Sequence, residues 1–283
     1  MNHPVTNPLR LLRCVALASV LAVVSACGGP PPPRTTAAPV EVGAFVVRLG
    51  MDTVALEEFS RSATRIEGRQ VVRTPRTSVR EFSGDLGPDG MFRRFEMTAR
   101  EPGAERPSMR AVVEWSDGTA RVEIERPDGT NRFEMEGAPG SLPWLGYSVS
   151  LYEVALARLM AGDEASVRAS MIPLGASSPY ELELERGERD TVIVTTIAGA
   201  NRALVDPDGR LLSWDGRGTT LAITADRDVR IDIDRHAREY AARDAAGRGL
   251  GSLSPRDTAA AQVAGVGVHL VYGRPSARGR EIF

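Results

Sequence analysis

From Val42 onward, apolar and polar residues alternate with a period of two. Phe45-Val46-Val47-Arg48-Leu49 and Thr53-Val54-Ala55-Leu56-Glu57 open the series. Arg65-Ile66-Glu67, Gln70-Val71-Val72-Arg73 and residues 78–82, 92–97, 109–115, 120–125 and 132–136 continue it. Aliphatic or aromatic residues take one set of positions, Arg and Glu the other. That pattern predicts strands with one face on a core and one in water. Near the middle the period changes: Leu151, Val154, Ala155, Arg158 and Leu159 follow helical spacing over 150–161, and Gly162 supplies a stop. Alternation then resumes over 165–172, 180–186, 191–197, 202–205, 210–214, 219–225 and 229–233. A charged, alanine-rich helix is predicted over 235–246, ended by Gly247 and Gly249.

The connectors carry their own mechanism. Pro88-Asp89-Gly90, Ser116-Asp117-Gly118, Pro127-Asp128-Gly129 and Pro207-Asp208-Gly209 each place Asp-Gly between strand patterns. Asp tolerates positive φ and Gly prefers it, so these predict hairpin turns between antiparallel neighbours. The expected fold is mainly β: one large curved antiparallel sheet, a half-barrel or open barrel. A central helix crosses its concave face, and a second helix lies near the C-terminus. Residues 42–233 make the β domain, and 234–251 a helical, glycine-containing linker.

Ahead of the alternation lie Arg10 and Arg13, an apolar run from Cys14 to Val24, and then Val24-Ser25-Ala26-Cys27-Gly28. The run is too short for a bilayer-spanning helix, which needs about 20 apolar residues. An aliphatic residue, two small residues and a cysteine resemble the cleavage box of bacterial lipoproteins. The resemblance implies that 1–26 is a signal peptide and Cys27 the lipidated first residue of the mature chain. Gly28, in place of Asp, resembles the signal for outer-membrane delivery. The expected location is the cell envelope, on the outer membrane facing the periplasm, with the membrane itself a partner through the lipid on Cys27. Residues 27–41, with Pro30 to Pro33, read as an extended tether.

The last segment has a different character. Leu253-Ser254-Pro255-Arg256-Asp257-Thr258, Val266-Gly267-Val268-His269-Leu270-Val271, Tyr272-Gly273-Arg274-Pro275 and Arg278-Gly279-Arg280-Glu281-Ile282-Phe283 resemble the opening of an uncharacterised bacterial domain, DUF family 2911. The resemblance covers only these final residues. It implies that 252–283 is the truncated start of a further β-rich domain.

Composition narrows the chemistry. The chain of 283 residues has a formal charge of −2, and every basic residue is Arg, with no Lys. A mild, mixed balance argues against nucleic acid as a partner. The absence of Lys rules out Schiff-base, Ser–Lys and P-loop chemistry. With Cys14 in the segment to be removed, Cys27 stands alone and no disulfide is expected, so the fold rests on its core. Roughly 240 residues remain after the tether, enough for one large or two modest domains.

No cofactor motif is present, and only His236 and His269 lie beyond the signal. Asp232-x-Asp234-x-His236 is the one spacing that suits a metal, because on a continuing strand all three share a face. The other reading is a strand giving way to a helix with Asp234 as its N-cap. Tyr272, Arg274, Arg278 and Arg280 form either an anion-holding cluster or a charged loop in salt bridges. Trp144 and Tyr147 lie next to the central helix, either lining an apolar cavity or filling the core. The expected function is that of a cell-envelope lipoprotein of binding or structural type, with an apolar or lipid-like ligand in the curved sheet as the binding option. No catalytic activity of its own is expected. The alternative is a hydrolase or metal-dependent enzyme completed by a C-terminal domain outside this chain.

Overall fold

The computed structural model describes residues 40–278 except Ala138 and Val229. Cys27, residues 27–39 of the predicted tether and Arg280 lie outside the described residues, while Glu41, at its predicted end, already opens the first strand. Residues 38–283 form a compact unit with a continuous core of its own. The first block of strands is Glu41–Leu49 (β1), Asp52–Arg61 (β2), Arg65–Val72 (β3), Ser78–Leu86 (β4), Phe92–Arg100 (β5), Met109–Ser116 (β6), Thr119–Arg126 (β7) and Gly129–Glu136 (β8). A short strand, Leu142–Trp144 (β9), leads into the helix Tyr152–Ala161 (α1). The second block is Ser166–Pro173 (β10), Tyr180–Arg186 (β11), Thr191–Thr196 (β12), Gly199–Val205 (β13), Leu211–Asp215 (β14) and Ile223–Asp228 (β15). The helix Ile233–Ala245 (α2) and a hairpin, Arg256–Val263 (β16) with Val266–Gly273 (β17), complete the described chain.

One sheet holds β1 to β15, in the order β8 to β1 and then β15 to β9. Sequence neighbours pair throughout, and β1 joins the two blocks through β15. Only β9 and β10 run parallel, over three residues including Pro143 and Pro173; Pro is tolerated at such an edge. The two edges of the sheet, β8 and β9, are separated in sequence by residues 137–141 alone. A connection of that length reaches about 20 Å at most. The sheet therefore curls back on itself as an open barrel, with a seam between β8 and β9 that no ladder closes.

Period-two alternation sorts the faces as the sequence predicts. Phe45, Phe59, Phe82, Phe95, Ala111, Val122 and Met171 point into the core. On the outside, arginines meet glutamates across neighbouring strands, as in Arg94–Glu114, Arg121–Glu134 and Arg132–Glu123. Each such exposed pair contributes little. Gly68 faces inward and is covered by aromatic rings: a Cβ there would lie 2.6 Å from the Phe82 ring and 2.6 Å from the Glu58 carbonyl.

Among the predicted turns, Asp117 and Gly118 both take positive φ, as a two-residue hairpin turn requires. The turn before β8 is shifted by one residue, centred on Pro127-Asp128, because Gly129 already pairs with Arg126. Two predicted strands change. Residues 219–222 form a turn in which the Ala222 N–H donates to Thr219 Oγ1, so β15 starts only at Ile223. The strand predicted over 229–233 is absent: Arg230–Asp232 leave the sheet and Ile233 begins α2.

That departure places α2 on the outer face. Ile231, Ile233, Ala237 and Tyr240 pack on Ala44, Leu56, Val71 and Val79, the outward positions that carry apolar residues instead of charges. Residues 234–251 are therefore part of the body, not a linker. Arg73 lies over the Tyr240 ring at 4.2 Å, and Asp244 accepts from the Thr77 N–H at 2.7 Å.

Inside the barrel, α1 buries Tyr152, Glu153, Val154, Ala155, Leu156 and Leu159, while Ala157, Arg158 and Met160 are half-buried and Ala161 is exposed. It has no side-chain N-cap of its own. Glu57, on the inner face of β2 and fully buried, instead accepts from the N–H groups of Val149 and Ser150 at 3.1 and 3.3 Å. It also takes the hydroxyls of Ser148 and, at 2.8 Å, Ser150. Burial pushes the Glu57 carboxyl above its usual range, and these four donors pull it part of the way back. At the other end Arg186 donates to the carbonyls of Leu159 and Gly162 at 2.5 and 2.6 Å, neutralising the orphan acceptors of the last turn.

A second buried carboxylate, Glu153, sits in the first turn of α1. It accepts from the Leu211 N–H at 3.0 Å and from Arg227. Its other oxygen has no hydrogen-bond donor, with Arg61 Nε 3.7 Å away. Glu41 shares the same two guanidiniums, bonding Arg227 and, at 2.9 Å, Arg61. The β13–β14 turn presses on the helix here. Gly209, at φ 77°, leaves no room for a Cβ, which would lie 2.5 Å from the Ala157 backbone.

Candidate ligand-binding site

At one rim of the barrel the ends of β4, β5, β6 and β7 face those of β9, β10 and β11 around a cavity of about 610 Å³. Antiparallel order places these ends together: β4 and β6 begin here, while β5 and β7 finish. Apolar side chains from both blocks line it, among them Met97, Met109, Trp144, Leu145 and Leu174. They continue the barrel core outward. The volume lies within the range of about 300–1,000 Å³ common for small-molecule sites. Trp144 packs edge-on against Tyr180 at 5.2 Å between centroids.

The charged groups among the described residues lining the cavity are both cationic. Arg80 and Arg126 line it with Ser78, Ser108 and Tyr180, and none of the described lining residues is acidic. Arg80 shares the inner face of β4 with Phe82. Its Nη1 donates to Gln70 Oε1 at 3.2 Å and to the Gly146 carbonyl at 2.9 Å. The second contact holds the loop that follows Trp144. Burial lowers the pKa of the Arg80 guanidinium, opposed only by the Tyr147 phenol. Arg126 follows Val122 and Ile124 on the inner face of β7 and touches Met109 Sδ at 3.9 Å. Tyr147 has φ 66°, uncommon for a bulky residue, and burial pushes its phenol up.

Trp144 is thus at the cavity, and Tyr147 sits beside its Arg80. The other sequence candidates do not assemble. Asp232 is the N-cap of α2, accepting from the Arg235 N–H at 2.9 Å, so the cap lies two residues before the predicted Asp234. Asp234 pairs instead with Arg69 at 2.5 Å, and His236 faces Glu239 at 3.3 Å. The helix turns the three groups apart, and among the described residues no three His, Cys, Asp or Glu side chains converge for a metal. Arg274 and Tyr272 share Asp257, at 3.1 and 3.4 Å, while Arg278 reaches Asp52 at 2.7 Å. That arginine cluster is split between two carboxylates. His269, exposed on β17, pairs with Ala260.

Sequence reasoning missed Arg80, Arg126 and Tyr180. The available signal was an arginine in an inward slot: Ser78-x-Arg80-x-Phe82 and Val122-x-Ile124-x-Arg126.

A larger concavity, about 820 Å³, runs along β1 to β5 beside the start of α2. Arg69 there pairs with Asp234 and lies 3.6 and 3.7 Å from Glu58 and Glu81, and Arg230 adds a second cation among Glu58, Glu67, Glu81 and Glu96.

No family model matches the chain, and no curated sequence matches it. Solved structures similar to it in part include two of uncharacterised families. One is a DUF1089 family protein from Pseudomonas aeruginosa, at 15% identity and a TM-score of 0.42, covering 59% of this chain and 92% of that one. The other is a β-barrel-like protein of domain family DUF1849 from Brucella abortus, at 12% identity and a TM-score of 0.44, covering 69% and 99%.

Proposed function

We propose that the protein is a cell-envelope lipoprotein that binds an apolar ligand in the rim cavity of its barrel. The observation that carries this reading is a cavity lined by Met97, Met109, Trp144 and Leu174 that α1 and the core leave unfilled. Exposed methionine and aromatic surface in a concave site is worth covering with an apolar partner. Ala176, on the β10–β11 connection, stands at the rim and can close it when enlarged.

With residues 38–283, N-phenyl-1-naphthylamine, a neutral dye that brightens in apolar surroundings, is expected to bind saturably at one site. Ala176→Trp is expected to weaken it about tenfold. Dye brightening that fails to saturate, or that Ala176→Trp leaves unchanged, overturns the cavity reading.

The envelope part of the proposal rests on Val24-Ser25-Ala26-Cys27. Among the described residues no helix is long and apolar enough to cross a membrane. Acyl chains on Cys27 would supply the anchor, at about 0.8 kcal/mol per buried methylene. Cells expressing the full chain are expected to incorporate labelled palmitate into it, and Cys27→Ala is expected to abolish the label. Equal labelling of both chains refutes the anchor.

A further inference from the structure

The interior of this barrel treats its cations in two different ways. Arg61 and Arg227, beside α1, are matched by Glu41 and Glu153. Arg80 and Arg126 also face inward, yet among the described residues neither has a carboxylate partner and none lines their cavity. Both guanidiniums are half-buried at the cavity and no described protein anion neutralises either, so each is free to take an anion from the cavity side. Among the described residues Arg80 forms its hydrogen bonds through Nη1. Its Nε and Nη2, the edge that forms paired bonds to a carboxylate or phosphate, meet no described acceptor. Ser78, Ser108 and Tyr180 add hydroxyl donors around the same space, and the methionine and tryptophan surface adjoins it.

We propose that the ligand is a single-chain anionic amphiphile: Arg80 and Arg126 hold its anionic headgroup, and the apolar wall of the cavity takes the start of its chain. The inference rests on the apolar-ligand reading above and adds the headgroup to it. Both halves of the site are needed. The arginines select charge, the apolar wall rewards a chain, and a small free anion lacks the second term.

The test uses displacement of N-phenyl-1-naphthylamine from residues 38–283 at roughly pH 8, where a fatty acid is ionised. Laurate and dodecanol share a chain and differ in headgroup; acetate has the headgroup without the chain. Laurate is expected to displace the dye at least about tenfold more tightly than dodecanol, the size of one or two charge-assisted hydrogen bonds. Acetate is expected to fail. Arg80→Gln and Arg126→Gln are each expected to collapse the laurate-to-dodecanol ratio. Arg80→Lys, which keeps the charge and loses the fork, is expected to restore part of it. Far-UV circular dichroism identifies any variant that has lost the fold, and the wild-type ratio decides without variants. Equal displacement by laurate and dodecanol overturns the anionic headgroup while leaving the cavity reading intact. Displacement by acetate as strong as by laurate overturns the amphiphile in favour of a free anion. Absence of saturable dye binding is instead a failure of the cavity reading.

Discussion

Glu57→Ala is expected to cost about 4 kcal/mol of folding stability, enough to lower the melting temperature by about 10 °C in a body of this size. Glu57 is fully buried and gathers four donors at the entry to α1: two backbone N–H groups and two serine hydroxyls. Truncation leaves those donors in a space too apolar to replace the carboxylate. Each unsatisfied buried donor costs about 1–3 kcal/mol, and the emptied volume adds a cavity penalty. The reverse deletions are milder. Ser148→Ala or Ser150→Ala removes one donor and leaves the carboxylate three contacts, so each is expected to cost about 1 kcal/mol. Urea titration of the three variants provides the comparison, and a Glu57→Ala cost no larger than that of Ser150→Ala would sink the argument. Hydrogen exchange adds a positional check, because the amides of residues 149–156 should lose protection first when the anchor goes.

The contrast between Glu57 and its surroundings also explains what the sequence could and could not reveal. Local patterns were legible. Alternation exposes strands because side chains on a strand point to opposite faces, and Asp-Gly exposes a turn because both residues accept positive φ. Both are properties of neighbours. Pairing between β1 and β15 is not, since nothing in Phe45-Val46-Val47 names Ala225 as the partner of Val47. The same limit hid the cavity. Arg80 and Arg126 stand in inward slots that a strict reading of the alternation marks, but their convergence with Trp144 and Tyr180 depends on the barrel curling back across its seam. Conversely, nearness in sequence suggested groups that the backbone separates. Asp232, Asp234 and His236 would share a face on a strand, yet they lie where the chain becomes helical. Tyr272, Arg274 and Arg278 straddle the end of β17, beyond which Arg278 turns to Asp52.

The hairpin shows the same rule from the other side. Ala259, Ala261, Val263, Val266, Val268 and Leu270 occupy one face of β16–β17, as the alternation requires. That face is exposed in the described structure, and the two strands form a sheet of their own. Alternation therefore predicts which residues share a face, while burial of that face depends on what packs against it.

The stability gap between wild type and Glu153→Gln is expected to change by about 3 kcal/mol between pH 4.5 and 8.5, with wild type losing ground as the pH rises. Burial is the main cause. It raises the Glu153 carboxyl from its ordinary 4.5 to about 7; Arg227 and then Arg61 oppose the shift, and Glu41 adds to it. Glu41 acts as a like charge held close by, on the same two guanidiniums. Since the folded-state value lies above the unfolded one, the folded protein holds this proton more tightly than the unfolded chain. The stabilisation that follows is complete below about pH 4.5 and is lost as the pH rises through about 7. Glutamine has the shape of the neutral acid and no proton to lose, so the variant lacks this contribution to the pH dependence. Other titrating groups, Glu57 among them, are common to both proteins and cancel in the difference. Urea unfolding of both at half-unit pH intervals measures the gap. A gap that stays constant across the range would show that Glu153 is ionised throughout, its charge held by Arg227 and Arg61 against the cost of burial. Wild type falling progressively behind the variant as the pH rises places the proton on Glu153 in the acid range.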